Sequence, residues 1–488
     1  MRGTPTVSLG KEVNMHFVSL RVGLALAVAL STVIADLDRP GDEEYIVWPV
    51  NPIRPEIVAY ITSYLVTLAG GEAEVYMSTV PRRPSPLYWL AKLPAKDVGA
   101  IRSIFGVKSI YLNKEAAKPF FSNRIAKVNA TFPNYEKYAT QPLPATELRV
   151  ISQPSGSAKI DRYKNYVYRT DKRKETYIYH AELGINADHE DFQGVPIEWD
   201  WTDLQVRRGG RTKGEAPSWY FGHSTCTASK AAGRIYGSAK QERLVVIKMP
   251  DYTTASLAEI MWTIYNHVYD HGRRDRSVVT ISWGSIVPVA FPLDPQNDLW
   301  LAVYEAMTAL WSLGVVIFCA AGNDAQELNA AGRPRTLVDT APAVFQLYAA
   351  VPPMVVVGNV NNYGYRHPTS QRTGRGDGPQ VHAPGVKVQC ASPTSTSDSR
   401  FDTGTSFSGP LVAGVVAELM AVGEIGVGIL PQIVVIALTT MLGWTRPNGG
   451  EYVIWDLVSL AINPPGPGFL NASLSGSVAN LSDTILTQ

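Results

Sequence analysis

The segment Gly-Thr-Ser-Phe-Ser-Gly-Pro occupies residues 404–410 and leads into an apolar stretch, residues 411–420. A serine hydroxyl is a weak nucleophile, and it is favoured at the start of a helix, where backbone N–H groups and the helix dipole stabilise negative charge. Gly404 permits close approach of a substrate, and Pro410 suits the first turn because its missing N–H costs nothing there. The following helix is apolar all round, so we predict that it is buried and holds Ser406 rigidly.

Short β-branched runs alternate with helical patterns upstream of this segment. The predicted strands cover residues 176–181, 244–249, 278–282, 315–320 and 355–360. Strands of this kind fit a parallel sheet that is buried on both faces. Repeated strand–helix alternation predicts a doubly wound α/β domain with a mostly parallel sheet over residues 166–445.

Two predicted helices of this domain have residues that are typical of helix ends. Residues 256–269 begin with Ser256 and Glu259, the spacing of a capping box. Residues 298–313 begin at Asp298, which we predict as their cap, and stop before a glycine.

The chain before the α/β domain divides into two parts. Residues 44–113 predict a small α+β module, with strands at 45–48, 88–93 and 107–112 and helices at 56–68 and 95–105. Residues 114–165 are polar and rich in proline, which predicts a linker. The C-terminal tail, residues 446–488, is expected to be partly disordered.

The N-terminus has the features of an export signal. Arg21 precedes the apolar run 22–35, which is too short for a membrane span and ends in small residues. We therefore predict a signal peptide over residues 1–35 and a secreted, extracellular protein without membrane insertion; Met15 is an alternative start. Three Asn-x-Ser/Thr sequons are compatible with export and a glycoprotein: Asn129, Asn471 and Asn480.

The composition excludes several classes of protein. The formal net charge is +1, so no overall positive field favours nucleic acid as a partner. Cys226, Cys319 and Cys390 allow at most one disulfide, and we expect Cys226 and Cys319 to be buried thiols. No local spacing matches a metal site, so no cofactor is expected, and a structural calcium ion has no readable loop.

Residues 404–410 resemble the nucleophile motif of the subtilisin-like serine proteases (subtilases), Gly-Thr-Ser-x-Ser/Ala-x-Pro. In that family an acid and a histidine precede the serine. His223 lies in Gly-His-Ser-Thr-Cys-Thr-Ala, residues 222–228, which is similar to the family's His-Gly-Thr-x-x-Ala. Ser224 replaces the usual glycine, which could crowd the backbone near the substrate.

The acid position holds an unusual residue. The family's Asp-x-Gly-Ile/Val pattern is similar to residues 182–185, Glu-Leu-Gly-Ile, and its His-x-x-Phe is similar to residues 189–192. The alignment puts Glu182 at the position of the family's aspartate. A glutamate can still hold the imidazole tautomer, as acids of both lengths do in α/β-hydrolase triads.

The resemblance also implies the residues around the nucleophile. Asn323, in Ala-Ala-Gly-Asn, would be the oxyanion donor, and an extended substrate would lie against Ser282-Trp283-Gly284. Substrate-binding positions in this comparison are Ser282, Trp283, Gly284, Ala320 and Gly322.

These similarities imply a secreted serine endopeptidase that acts on polypeptides as a monomer. The 44–113 module would be its propeptide, which acts as an intramolecular inhibitor and makes the protein a zymogen. Two alternatives remain. Glu182 and Ser224 fit a catalytically impaired member that serves as an exported binding or effector protein. A sedolisin-type acid peptidase shares the nucleophile motif, but it needs its Glu and Asp together on a helix.

Overall fold

The computed structural model describes residues 42–114 except 82 and 84, 124–126, 134–135, 138–152, 164–286 except 219, 298–347 except 330, 336 and 337, 354–372, 379, 381–422, 443–444 and 453–454. The predicted signal peptide, the three sequons and all but two residues of the predicted tail lie outside the described residues.

The N-terminal module is an antiparallel sheet of four strands covered by helices, in the order β2-β3-β1-β4. Its elements are β1 (Asp42–Pro49), α1 (Pro55–Ala69), β2 (Val75–Ser78), β3 (Tyr88–Pro94), α2 (Val98–Arg102) and β4 (Val107–Leu112). Its core joins apolar residues of α1 to the sheet, among them Ile61, Leu65 and Trp89. The helix expected over 95–105 is a 3-10 turn followed by the short α2, and β2 was not predicted.

Strands and helices alternate along the rest of the described chain. The strands are β5 (Arg124–Ala126), β6 (Asn134–Tyr135), β7 (Tyr138–Pro142), β8 (Asn165–Arg169), β9 (Tyr177–Glu182), β10 (Ile197–Trp201), β11 (Arg243–Lys248), β12 (Ser277–Ile281), β13 (Ser285–Ile286), β14 (Val316–Ala320), β15 (Thr340–Ala341), β16 (Val355–Val360), β17 (Val381–Pro384), β18 (Val388–Ala391), β19 (Ser399–Asp402), β20 (Gly443–Trp444) and β21 (Val453–Ile454). The helices are α3 (Thr146–Ile151), α4 (Asp203–Gly209), α5 (His223–Ala232), α6 (Thr254–Asp270), α7 (Asp298–Ser312) and α8 (Thr405–Val422).

The main sheet has the strand order β10-β11-β9-β12-β14-β16-β17-β21-β20 among the described residues. Neighbouring strands from β10 to β17 are parallel, which confirms the predicted α/β class. The chain runs to one side of β9 and then crosses to β12 on the other side. Such a reversal opens a crevice at the carboxyl ends of the strands, where ligands bind in this class of fold. Glu182 ends β9 and Ser282 directly follows β12, so both lie at this crevice.

Helices cover both faces of the sheet. One core packs α5 and α8 against it, with Ala228, Leu411 and Val415 among its buried residues. The other packs α6 and α7 against the opposite face, through residues such as Ile260 and Val303. The apolar helix behind Ser406 is buried as predicted.

A disulfide joins Cys226 in α5 to Cys390 in β18, and Cys319 is a buried free thiol. The prediction of a thiol was therefore wrong for Cys226 and right for Cys319. The two bridged cysteines are 164 residues apart, and only the fold brings their Cα atoms to 5.1 Å.

The structure differs from the predicted linker over residues 138–152. Here β7 and α3 are folded, and Leu148 and Ile151 are buried in the core that also packs α8. Glu147 forms an ion pair with Lys230, and both side chains are buried. Among the prolines that suggested a linker, Pro142 ends β7 and Pro144 lies two residues before α3, so both border folded elements.

The two helix starts also differ from their predictions. The helix expected at Ser256 begins at Thr254, and Glu259 turns its carboxylate to Tyr76 and Tyr88 of the N-terminal module instead of closing a capping box. The carboxylate of Asp298 likewise contacts Lys108 and Ser109 of β4.

Candidate active site

Two of the predicted site residues meet at the end of β9. His223 is the first residue of α5, and its Nδ1 lies 3.4 Å from Glu182 Oε1. Both side chains are fully buried. Gly222, which precedes the helix, has a φ of 95°, a conformation that favours glycine and turns the chain into α5 here. The arrangement lets the carboxylate fix the orientation of the imidazole.

The second oxygen of Glu182 has its own donors. Tyr252 Oη donates to Oε2 at 2.5 Å, and Ser224 Oγ donates to it at 3.2 Å. Burial raises the pKa of Glu182, but the charge and hydrogen bonding of His223 and the Tyr252 hydroxyl outweigh it, so the net pKa lies below its usual value. Ser224 and Glu182, the two departures from the family pattern, thus contact each other.

A second carboxylate, Glu215, holds the start of α5. It accepts hydrogen bonds from the backbone N–H groups of Gly222, Ser224 and Thr225, at 2.7, 3.2 and 3.0 Å, and from the Thr225 hydroxyl at 2.5 Å. Burial raises the pKa of Glu215 to about 6 even though these donors lower it. The first N–H groups of a helix have no internal partners, so Glu215 fixes the turn that carries His223.

Ser406 is the second residue of α8, and its side chain is buried. Its Oγ donates to the carbonyl of Ser282 at 3.0 Å. A hydroxyl has one proton, so transfer of that proton to His223 requires the hydroxyl to turn away from this carbonyl. The His223 ring lies 5.6 Å, centroid to centroid, from the ring of Phe407, the residue next to Ser406.

Asn323 follows β14 and faces the start of α8. Its Oδ1 accepts from the backbone N–H of Thr405 at 2.9 Å, which fixes the orientation of the side-chain amide because that N–H can only donate. Its Nδ2 is buried and makes no hydrogen bond to any described residue. A buried donor without a partner is costly, and such a group suits an acceptor that arrives with a substrate.

The predicted substrate-binding residues lie on two adjacent strand ends. The indole Nε1 of Trp283 donates to the carbonyl of Ala181 at 2.9 Å, so this large ring is packed inward. A Cβ on Gly284 would lie 2.5 Å from Thr340 Cγ2, which leaves no space for a side chain. Gly322 has a φ of 101°, and its N–H donates to Thr405 Oγ1 at 3.1 Å. Ala320, at the end of β14, is half-buried.

The N-terminal module lies against α6 and α7. Tyr76 and Tyr88 donate to Glu259 at 2.8 and 3.0 Å. The chain that leaves the module reaches the start of α6, where Lys114 O accepts from the backbone N–H of Thr254 and Asn113 Oδ1 accepts from that of Ala255, both at 3.2 Å. The module therefore contacts the same helix that begins two residues after Tyr252.

Tyr252 and Glu215 were not predicted as site residues. Tyr252 lies 70 residues from Glu182 and Glu215 lies in a loop, so neither had a local pattern that could have identified it. None of the helices in the described ranges has the length and apolar character of a membrane span.

A family model described as "Subtilase family" matches residues 174–425 of the chain. Among curated proteins, Subtilisin-like protease 1 of Trichophyton rubrum is 28% identical over 291 residues, which is 59% of this chain and 48% of the relative. Alkaline protease 1 of Aspergillus clavatus is 28% identical over 260 residues, 52% of this chain and 54% of the relative. The chain thus spans about half the length of these two curated relatives.

Solved structures show the same fold. The epidermin leader peptide processing serine protease of Staphylococcus aureus superposes with a TM-score of 0.56 and 15% identity, over 87% of this chain and 99% of its own. Fervidolysin of Fervidobacterium pennivorans gives a TM-score of 0.52 and 16% identity, over 87% of this chain and 61% of its own.

Proposed function

The chain belongs to the subtilase family, and from this premise we propose that it is a secreted serine endopeptidase that hydrolyses peptide bonds with Ser406, His223 and Glu182. The observation that carries the proposal is the buried contact of 3.4 Å between His223 Nδ1 and Glu182 Oε1. An acid in that position holds the imidazole with its other nitrogen available as a base.

In the proposed reaction Ser406 Oγ attacks the peptide carbonyl while His223 takes the hydroxyl proton. His223 then gives the proton to the leaving amine, and water repeats the cycle on the acyl-enzyme. Glu182 stabilises the imidazolium that forms. Its low pKa supports this role because the carboxylate stays ionised.

We assign the oxyanion site to Asn323 Nδ2 and the Ser406 backbone N–H. The support for Asn323 is that Thr405 fixes its amide while Nδ2 keeps a free donor among the described residues. A donor held in advance for the developing charge contributes about 3–4 kcal/mol to transition-state stabilisation. Extended polypeptide would pair with the backbone beside Ser282-Trp283-Gly284, and the inward packing of Trp283 would leave the main chain as the principal contact.

We further propose that the protein is made as a precursor, with the N-terminal module as propeptide and inhibitor. The supporting contacts are those of Tyr76 and Tyr88 with Glu259 and of Lys108 and Ser109 with Asp298. The apolar run over residues 22–35, which has the features of a signal peptide, supports extracellular release.

Two observations favour a second candidate function, a non-catalytic binding protein. The Ser406 hydroxyl donates to the Ser282 carbonyl, and the acid and the residue after the histidine both depart from the family pattern. The sedolisin-type alternative has less support, because Glu182 ends a strand and contacts a histidine.

The deciding experiment is fluorophosphonate labelling of the purified protein after removal of the module, together with peptide hydrolysis between pH 4 and pH 9. The peptidase should label at Ser406 and should lose label and activity in Ser406→Ala. Ser408→Ala is the matched control, since Ser408 lies one residue beyond Phe407 and donates to the Ala383 carbonyl instead. A folded protein that neither labels nor cleaves would favour the binding function, and an optimum near pH 4 would favour the acid peptidase.

A further inference from the structure

We propose that Glu198, His267 and His271 form a binding site for a divalent transition-metal ion of the zinc class. Glu198 lies on β10, the edge strand of the main sheet, and His267 and His271 lie at the end of α6. One ligand atom from each residue can be chosen so that all three atoms lie within 4.8 Å of one another. The sequence alone predicts no metal ligands, because the glutamate is 69 residues before the first histidine.

The spacing of the histidines suits shared coordination. Residues four apart lie on one face of a helix, and two histidines at this spacing are a recurrent zinc-binding pair. The two rings are stacked with their centroids 4.0 Å apart. Glu198 Oε1 lies 3.2 Å from His267 Nε2, whereas two ligands on a tetrahedral zinc ion are about 3.3 Å apart when each bond is near 2.0 Å.

The hydrogen bonds of the far ring nitrogens support the same assignment. His271 Nδ1 lies 2.9 Å from the carbonyl of His267, which can only accept, so Nδ1 carries the proton and Nε2 has a free electron pair. His267 Nδ1 lies 3.0 Å from Tyr179 Oη. The Tyr179 hydroxyl can accept from Nδ1 and leave Nε2 for a metal, so it orients the ring, whereas the carbonyl at His271 also fixes the tautomer.

The charged groups around the site affect its affinity for a metal ion. Arg273 donates to the other oxygen of Glu198, Oε2, at 2.7 Å, which orients the carboxylate but adds a positive charge. Asp200 lies two residues along β10, on the same face of the strand, and its carboxylate interacts electrostatically with His271. Two imidazoles and a carboxylate favour zinc over calcium or magnesium, which prefer oxygen ligands alone.

The ligands come from two elements, so a bound ion would link the edge strand β10 to the end of α6. His267 is buried, whereas His271 is exposed at the helix end, where an ion can enter from solvent. A water molecule would take the fourth position on this exposed side. Ions that bind only the folded state raise its stability, so the effect is measurable as a shift of the melting temperature.

The test uses the full chain with Ser406→Ala, which prevents autolysis, after treatment with a chelator. Zinc titration calorimetry and melting curves should show one bound ion and a raised Tm, and cobalt(II) should give the visible absorption of a tetrahedral site. His271→Ala and Glu198→Gln should each weaken zinc binding by about 100-fold, whereas Tyr179→Phe should weaken it by about 10–100-fold. His367→Ala is the control for general histidine binding, since His367 contacts Thr369 elsewhere.

The Ser406→Ala protein still contains His223, which could bind zinc itself. Zinc binding must therefore be compared between this parent and the site variants. The proposal is overturned if the parent binds no zinc, or if folded His271→Ala and Glu198→Gln bind it as tightly as the parent. It is also overturned if calcium raises Tm as much as zinc does and loses that effect in the same variants. Circular dichroism identifies a variant that has not folded, and the other variant then decides.

Discussion

Ser282 and Ser406 exchange two hydrogen bonds between the end of β12 and the start of α8. Ser406 Oγ donates to the Ser282 carbonyl at 3.0 Å, and Ser282 Oγ donates to the Ser406 carbonyl at 2.9 Å. The second bond has a cause in the sequence. Pro410 was predicted in the first turn, but it is the sixth residue of α8, and it lacks the N–H that position 410 would normally donate to the Ser406 carbonyl. Ser282 therefore replaces a helical hydrogen bond that the proline removes.

Ser282→Ala should lower the free energy of unfolding by about 1–3 kcal/mol, because it leaves the buried Ser406 carbonyl without this donor. The same substitution should cost less when Pro410→Ala is present, since an N–H at position 410 can then reach the carbonyl. Urea unfolding of the four combinations, with Ser406→Ala throughout, measures the coupling. Equal costs in the two backgrounds would contradict this account of Pro410.

Tyr252→Phe and Ser224→Ala should each lower kcat by about tenfold or more, with little change in KM. Each removes a hydrogen bond to the buried carboxylate of Glu182, and bonds to charged groups contribute about 1.5–3 kcal/mol. Steady-state kinetics on a peptide substrate measures the split. Tyr265→Phe is the control, since its ring packs against Trp262 at a distance from the site.

The pH profile of Tyr252→Phe gives a further check on the same contact. The Tyr252 hydroxyl lowers the pKa of Glu182, so its removal should raise that pKa. The carboxylate would then be protonated at a higher pH as the solution is acidified, and the acid limb of kcat should move to higher pH. An unmoved acid limb would show that Tyr252 does not hold the charge of Glu182.

Inhibition by the cleaved N-terminal module should weaken as the pH rises from about 5 to 8. Burial raises the pKa of Glu259 to about 7 in the complex, from an ordinary value of 4.5, against the hydrogen bonds of Tyr76 and Tyr88. Departure of the module exposes the carboxylate and returns its pKa toward 4.5. Binding therefore takes up a proton between these values, and the affinity is highest on the acid side.

Glu259→Gln should remove most of this pH dependence, whereas Glu305→Gln should retain it. Glu305 is the matched control because it lies at the rim of the same interface, 3.5 Å from Arg83. The measurement is the inhibition constant of the module against peptide hydrolysis at each pH. A pH dependence that survives Glu259→Gln would assign it to another group.

Reduction of the Cys226–Cys390 disulfide should lower the free energy of unfolding by about 2–5 kcal/mol. The two cysteines are 164 residues apart in sequence, so the bridge closes a long loop in the unfolded chain. The measurement is the melting temperature of Ser406→Ala with and without dithiothreitol. The sensitivity to reductant should disappear in Cys226→Ala/Cys390→Ala and remain in Cys319→Ala. A reductant effect that persists in the double variant would contradict the assignment.

The sequence predicted those features that local patterns encode. The five predicted strands, among the nine described strands of the main sheet, begin and end within two residues of their predicted positions, because β-branched runs between helices have few alternative structures. The resemblance pointed to Glu182 and His223, and the structure brings them together. The order of the strands and their reversal beside β9 follow from packing rather than from local pattern.

What the sequence could not predict depends on contacts between distant segments. The donors to Glu182 lie 42 and 70 residues away from it. Glu259 has the spacing of a capping box, yet two tyrosines of another module bind its carboxylate. At Glu259 a local pattern competed with a tertiary contact and the tertiary contact prevailed, whereas no local pattern pointed to the donors of Glu182.

The backbone N–H groups of Thr254 and Ala255 are satisfied by Lys114 and Asn113, which belong to the chain leaving the N-terminal module. The chain that leaves the module thus supplies two caps for α6. On the proposed maturation, cleavage and departure of the module would free these amides one turn from Tyr252. The released enzyme would then be intrinsically less stable than the state in which it folded, and its working lifetime would depend on how slowly that helix end frays.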